Sequence, residues 1–108
     1  TVLSARVGSI SDNVLGGWYS YRASKAALNM MIKTAAIEYD RRAKRVSLVA
    51  FHPGTTNTPL SKPFQGNVKP EKLFTPEFVA DQLQSVIANL NKESNVHYLD
   101  WAGKPINW

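Results

Sequence analysis

The 108-residue chain contains no cysteine, which removes disulfides and thiolate metal sites and fits a reducing, cytoplasmic setting. No apolar run approaches the ~20 residues needed to cross a bilayer, so no membrane partner is expected. The opening TVLSARVGSI has no charged stretch followed by a long apolar one, so it does not read as a signal peptide. It also lacks an initiator methionine, and a chain starting on strand-like TVLSA reads as the interior of a longer protein. Only two histidines occur, His52 and His97, too isolated to suggest a metal site. There is no internal repeat and no low-complexity tract.

What is present is ordinary in bulk. Hydrophobic content of 44% and charged content of 19% suit one small soluble domain with a modest core. The net charge of +5 raises the question of nucleic acid, but four of the thirteen basic residues sit together in RRAKR: Arg41, Arg42, Lys44 and Arg45. Placed after a helix, these favour the negative end of its dipole. With no accompanying recognition motif, no nucleic-acid partner is expected.

The pattern along the chain is strand, helix, strand, lid, helix, strand. TVLSA is a short strand, and RVGSISDNVLGG is a turn-rich loop. From Trp18 to about Arg42 the pattern is helical, free of glycine and proline and rich in alanine, which predicts close packing on at least two sides. VSLVAF (46–51) is an apolar run ending at Pro53-Gly54, the mark of a strand buried on both faces of a parallel sheet. Residues 55–74 carry three prolines and little periodicity, as a lid would, with one short helix at most. Thr75 caps a second helix with Pro76 in its first position and Glu77 in its first turn. VHYLD (96–100) is the last strand. Strands alternating with helices imply parallel pairing.

At the start of the long helix, YSYRASKAALN places Tyr21 and Lys25 one turn apart on one face. Alone, a Tyr-x-x-x-Lys match is weak. Its context is a strand and Gly-Gly loop before it, an alanine-rich helix around it, and then a strand running into Pro-Gly and Thr58. Together these resemble the C-terminal half of the short-chain dehydrogenase/reductase family over essentially all 108 residues. SARVGSISDN and GGWYSYRASKAALN are similar to its C-factor-like and carbonyl-reductase-like members.

The resemblance implies an α/β fold, the C-terminal half of a doubly wound parallel-sheet Rossmann-like domain, acting on a carbonyl or alcohol with NAD or NADP. It makes Tyr21 the catalytic acid/base. A free phenol ionises only near pH ~10, so a neighbouring cation must stabilise the phenolate, and Lys25 supplies one. In the family this lysine also holds the nicotinamide ribose. The family's carbonyl-polarising serine stands about thirteen residues before the tyrosine, which here falls on Gly8. Alignment through the glycine of SARVGS instead puts Ala5 in that place, with Ser4 and Ser9 as neighbours. Ser9 has the nearer spacing and Ser4 the nearer strand end, and an ordinary turn serine is the alternative for each.

His52-Pro53-Gly54-Thr55-Thr56-Asn57-Thr58 matches the family's Pro-Gly-x-x-x-Thr segment. The resemblance makes Pro53, Gly54, Thr56 and Thr58 cofactor contacts together with Tyr21 and Lys25, and Thr58 can equally cap a short helix in the lid. His52 reads as a strand-end residue rather than a base, since no carboxylate accompanies it in the motif. Trp18, Tyr19, Phe64, Phe74, Trp101 and Trp108 include possible pocket walls, with packing as their ordinary use.

The glycine-rich turn that lets a pyrophosphate approach a helix N-terminus is absent. Residues 1–108 therefore read as one partial domain, the catalytic half, without its N-terminal dinucleotide-binding half. The resemblance implies a homo-oligomer in which the long helix pairs across a two-fold axis. A non-enzymatic binding or signalling protein on the same scaffold is the alternative, supported by the displaced serine.

Overall fold

The computed structural model describes residues 1–43 and 45–108. Three parallel strands, β1 (Val2–Leu3), β2 (Leu48–His52) and β5 (Val96–Asp100), form a sheet in the order β1-β2-β5. β2 pairs along its whole length with β5, from Leu48 opposite Val96 to His52 opposite Asp100. β1 contributes only two residues, because the chain leaves the sheet after Ser4 and enters a 3-10 turn at Arg6–Gly8.

Successive side chains of a strand point to opposite faces, and β2 shows why VSLVAF is mostly apolar. Ala50 faces α1 (Tyr19–Arg42) and packs in a cluster with Ile32, Tyr98 and Ile106. Val49 and Phe51 face α2 (Pro76–Ala88) and pack with Val86, flanked by Val79, Leu83 and Trp101. Both faces of the sheet are therefore covered, as the parallel arrangement requires.

α1 buries one stripe, Asn29, Ile32 and Ala36, at helical spacing. Burial on two sides, expected from its alanines, does not occur among the described residues: Ala23, Ala27, Met30, Met31 and Ile37 are exposed. The sheet takes one side of the helix only. Arg41 and Arg42 occupy its last turn, and Lys44 of the RRAKR cluster lies outside the described residues.

α2 begins as its sequence dictates. The Thr75 hydroxyl accepts the Phe78 amide at 3.1 Å, Pro76 is the first helical residue and Glu77 lies in the first turn. The segment before it holds more structure than its composition suggests. Two 3-10 turns (Lys62–Phe64 and Pro70–Lys72) lie in it, and β3 (Thr55–Thr56) pairs in parallel with β4 (Leu73–Phe74). Such a two-residue pairing pins both ends of the loop but is too short to leave a periodic signal. After β5 the tail doubles back, with the Ile106 amide donating to the Tyr98 carbonyl at 2.8 Å. No helix among the described residues is long and apolar enough to cross a membrane.

Candidate active site

Tyr21 is placed by the loop in front of it. Gly16, Gly17 and Trp18 follow one another in the left-handed region, with φ of 68°, 69° and 58°. Glycine adopts this freely, whereas a bulky residue there costs on the order of 1 kcal/mol or more. The Arg22 guanidinium holds the turn from inside the helix. Its Nε donates to the Gly17 carbonyl at 2.9 Å, one terminal nitrogen to Gly16 at 3.1 Å and the other to Val7 at 3.4 Å. The Trp18 carbonyl then accepts the Arg22 amide at 2.8 Å, the first turn of α1. Arg22 is a positioning residue that no spacing rule singled out.

From this start, Tyr21 and Lys25 project together. The Lys25 ammonium sits 5.9 Å from the centre of the Tyr21 ring and donates to the Leu3 carbonyl, at the end of β1, at 3.1 Å. An ammonium has three donors, so this contact aims the group without exhausting it. Tyr21 itself is exposed.

The serines are differently placed. Ser4 is buried and donates to Asn29 Oδ1 at 2.6 Å. Ser9 is buried and donates to the Asn107 carbonyl, beside the Trp108 carbonyl. A hydroxyl has one proton to give, and both are taken. The position reached by spacing, Gly8, can carry no side chain: a Cβ there would stand 2.8 Å from the Lys25 Cβ and carbonyl carbon. Ala5 is buried, and its carbonyl accepts the Tyr98 hydroxyl at 2.6 Å. Burial pushes the Tyr98 phenol up, which keeps it a neutral donor.

Beyond β2, Gly54 turns with φ 73° against an aromatic cluster. An added Cβ would come within 2.7 Å of Phe74 and 3.2 Å of Trp101, so this turn needs glycine for space as well as conformation. Phe74 also meets Phe78 and Trp101, with ring centres 4.8 and 4.7 Å apart. Thr58 and Ser61 hold each other: each backbone amide donates to the other's hydroxyl at 3.3 Å. Thr56 Oγ1, by contrast, is buried with no partner among the described residues. A buried hydroxyl without a partner beside a Pro-Gly turn suits a polar ligand edge, so these residues fit the nicotinamide end of a dinucleotide.

His52 ends β2, as a strand-end residue. Burial lowers its pKa to about 4, the Arg6 charge pushes the same way and the Asp100 carboxylate opposes it. Arg6 ties this region together, bonding Asp100 at 3.0 Å and Asp12 at 3.2 Å. Asp100 is buried, and its other oxygen accepts the Ala102 and Lys104 amides, both at 2.9 Å. Asp100 went unnoticed in the sequence, although an aspartate before Ala-Gly-Lys is a recognisable side-chain-capped turn.

A parallel sheet covered on both faces, with tyrosine and lysine one turn apart at the head of the helix after its first strand, is a Rossmann-type α/β arrangement. The sequence model of the short chain dehydrogenase family matches residues 6–69, and the chain belongs to that family. It is 37% identical over 107 residues to 1-hydroxy-2-glutathionyl-2-methyl-3-butene dehydrogenase of Rhodococcus sp. (strain AD45), covering 99% of this chain and 45% of that one. It is 34% identical over 106 residues to the C-signal of Myxococcus xanthus, covering 98% and 58%. The structure of NADPH-bound carbonyl reductase from chicken fatty liver superposes with a TM-score of 0.77 at 32% identity, over 98% of this chain and 41% of that one. The chain thus spans about half the length of the curated relatives it matches.

Proposed function

We propose that this chain is the catalytic half of an NAD(P)-dependent oxidoreductase that interconverts a small-molecule carbonyl and its alcohol, working in the cytoplasm with a dinucleotide-binding half. The observation that carries this reading is the Tyr21–Lys25 pair at the head of α1 in a short chain dehydrogenase fold, its lysine aimed by the Leu3 carbonyl. Tyr21 gives its proton to the carbonyl oxygen during reduction and takes it back in oxidation. Lys25 sets its ammonium beside the Tyr21 ring and has donors left for a ribose. Thr56, Thr58 and the Pro53-Gly54 turn line the nicotinamide end, where the bound cofactor supplies or accepts the hydride. With the Ser4 and Ser9 protons committed elsewhere, Tyr21 polarises the carbonyl without a serine's help.

Those committed hydroxyls also favour a second reading, a binding or signalling protein on this scaffold, and similarity to the C-signal points the same way. Turnover separates the two. The chain joined to a dinucleotide-binding half is given NADPH and NADH with a panel of aldehydes and ketones. Oxidation of the cofactor that is lost in Tyr21→Phe, with cofactor affinity kept, supports the enzyme. Cofactor binding with no turnover of any carbonyl supports the second reading. The 108-residue chain alone is expected to do neither, because the pyrophosphate-binding turn is not in it.

A further inference from the structure

Resting on the reductase reading, we propose that Trp18 and Phe64 form the apolar wall of the substrate site and select carbonyl compounds bearing an aromatic ring beside the carbonyl. The Trp18 ring centre lies 6.1 Å from that of Tyr21 and 5.2 Å from that of Phe64, both tilted by more than 50°. Trp18 therefore stands beside the proton donor, and Phe64 extends the aromatic surface from it. Neither belongs to the two core clusters, and they stay 55% and 58% exposed despite touching each other. Packing among the described residues does not account for them.

Their backbone settings strengthen the point. Among the described residues Trp18 is the one non-glycine with positive φ. Strain of this kind persists only where surrounding contacts hold it, here the Arg22 guanidinium on the two preceding carbonyls. Phe64 ends a 3-10 turn of the 59–74 segment, which Ser61 ties locally: its hydroxyl donates to the Thr56 carbonyl at 2.5 Å and accepts from the Gln65 side-chain Nε2 at 2.9 Å. The contact thus brings a loop from 46 positions along the chain over the head of α1. Two tilted, half-wet aromatic faces beside an acid accept a third ring edge-on or offset. An aliphatic carbonyl without a ring leaves those faces in water.

The test uses the protein carrying both halves, loaded with NADPH or NADH, and compares kcat/KM for acetophenone and acetone. Trp18→Ala and Phe64→Ala are each expected to lower the aryl-to-aliphatic ratio roughly tenfold or more, and Trp18→Phe to restore most of it. An equal loss on both substrates would assign the rings a purely structural role. An unchanged ratio, with turnover intact, overturns the proposal and leaves the reductase reading standing. A second readout needs no turnover: acetophenone binding to Tyr21→Phe protein, followed by tryptophan fluorescence, should weaken roughly tenfold when Phe64→Ala is added. Binding that depends on Phe64, together with no turnover of any carbonyl by the protein with Tyr21 intact, upholds the aromatic site and overturns the reductase reading. No such dependence overturns the site.

Discussion

Gly8 lies against Lys25 so closely that the smallest side chain at position 8 would come within 2.8 Å of that residue's Cβ and carbonyl carbon. The lysine that flanks Tyr21 is thus seated by a glycine thirteen positions before the tyrosine. Backbone cannot yield as a flexible side chain can, so Gly8→Ala must push the 3-10 turn and α1 apart. A stability loss of about 1–3 kcal/mol in urea titration is expected, with a larger fractional fall in kcat than in cofactor affinity. An unaltered kcat would mean that the seat does not position Lys25.

Asp100 joins the end of β5 to the turn before α1 through Arg6, 94 positions away in the chain. Asp100→Ala would leave the Ala102 and Lys104 amides without their acceptor and the Arg6 guanidinium with Asp12 alone, and should cost about 2–4 kcal/mol. Asp100→Asn keeps an oxygen for the two amides and should cost less, about 1–3 kcal/mol. Chemical denaturation of both, with Arg6→Leu as the double-mutant partner, measures the coupling. Equal losses in the two Asp100 variants would show that the charge decides and the turn amides do not.

His52 makes stability fall in acid. Its folded pKa of about 4 lies below the 6.5 of the unfolded chain, so between these values the unfolded state binds the proton and gains. The group's contribution is level above pH 6.5 and declines as pH drops to about 4, by on the order of 3 kcal/mol in all. Unfolding free energies from pH 7.5 to 4 should show a shallower slope in His52→Gln than in the parent. Parallel curves would contradict the burial of a neutral imidazole.

The 59–74 segment should behave as a lid. Its interior bonds are local, such as Phe64 amide to Ser61 carbonyl at 2.8 Å and Lys72 amide to Lys69 carbonyl at 2.8 Å, and most of its residues are exposed. Amide exchange there is expected to be at least about a hundredfold faster than in Leu48–Phe51, and to slow when cofactor and ketone bind. Exchange as slow as in β2 under both conditions would rule the lid out.

The outer face of α1, with Met30, Met31 and Ile37 exposed among small residues, should pair with a second copy in the protein carrying both halves. Sedimentation at micromolar concentration should give a dimer or larger, and Met30→Glu with Met31→Glu should dissociate it. A monomeric parent would refute this.

Local sequence carried the element order. Thr75-Pro76 starts α2 because capping and proline geometry act within one turn, and VHYLD is β5 because a strand's preference is written in its own residues. Tyr21 and Lys25 could be paired on paper because any helix brings positions four apart together. The Pro-Gly turn was legible for the same reason. Long-range partners were not. Ser4 finds Asn29, Ser9 finds the tail at Asn107, and Trp18 meets Phe64 only after the chain has closed on itself. Whether either serine has a proton to spare, which threonine is left without a partner, and why position 8 must be glycine are therefore matters of packing. A side chain's free donors depend on what the fold sets against it, and local spacing holds no record of that.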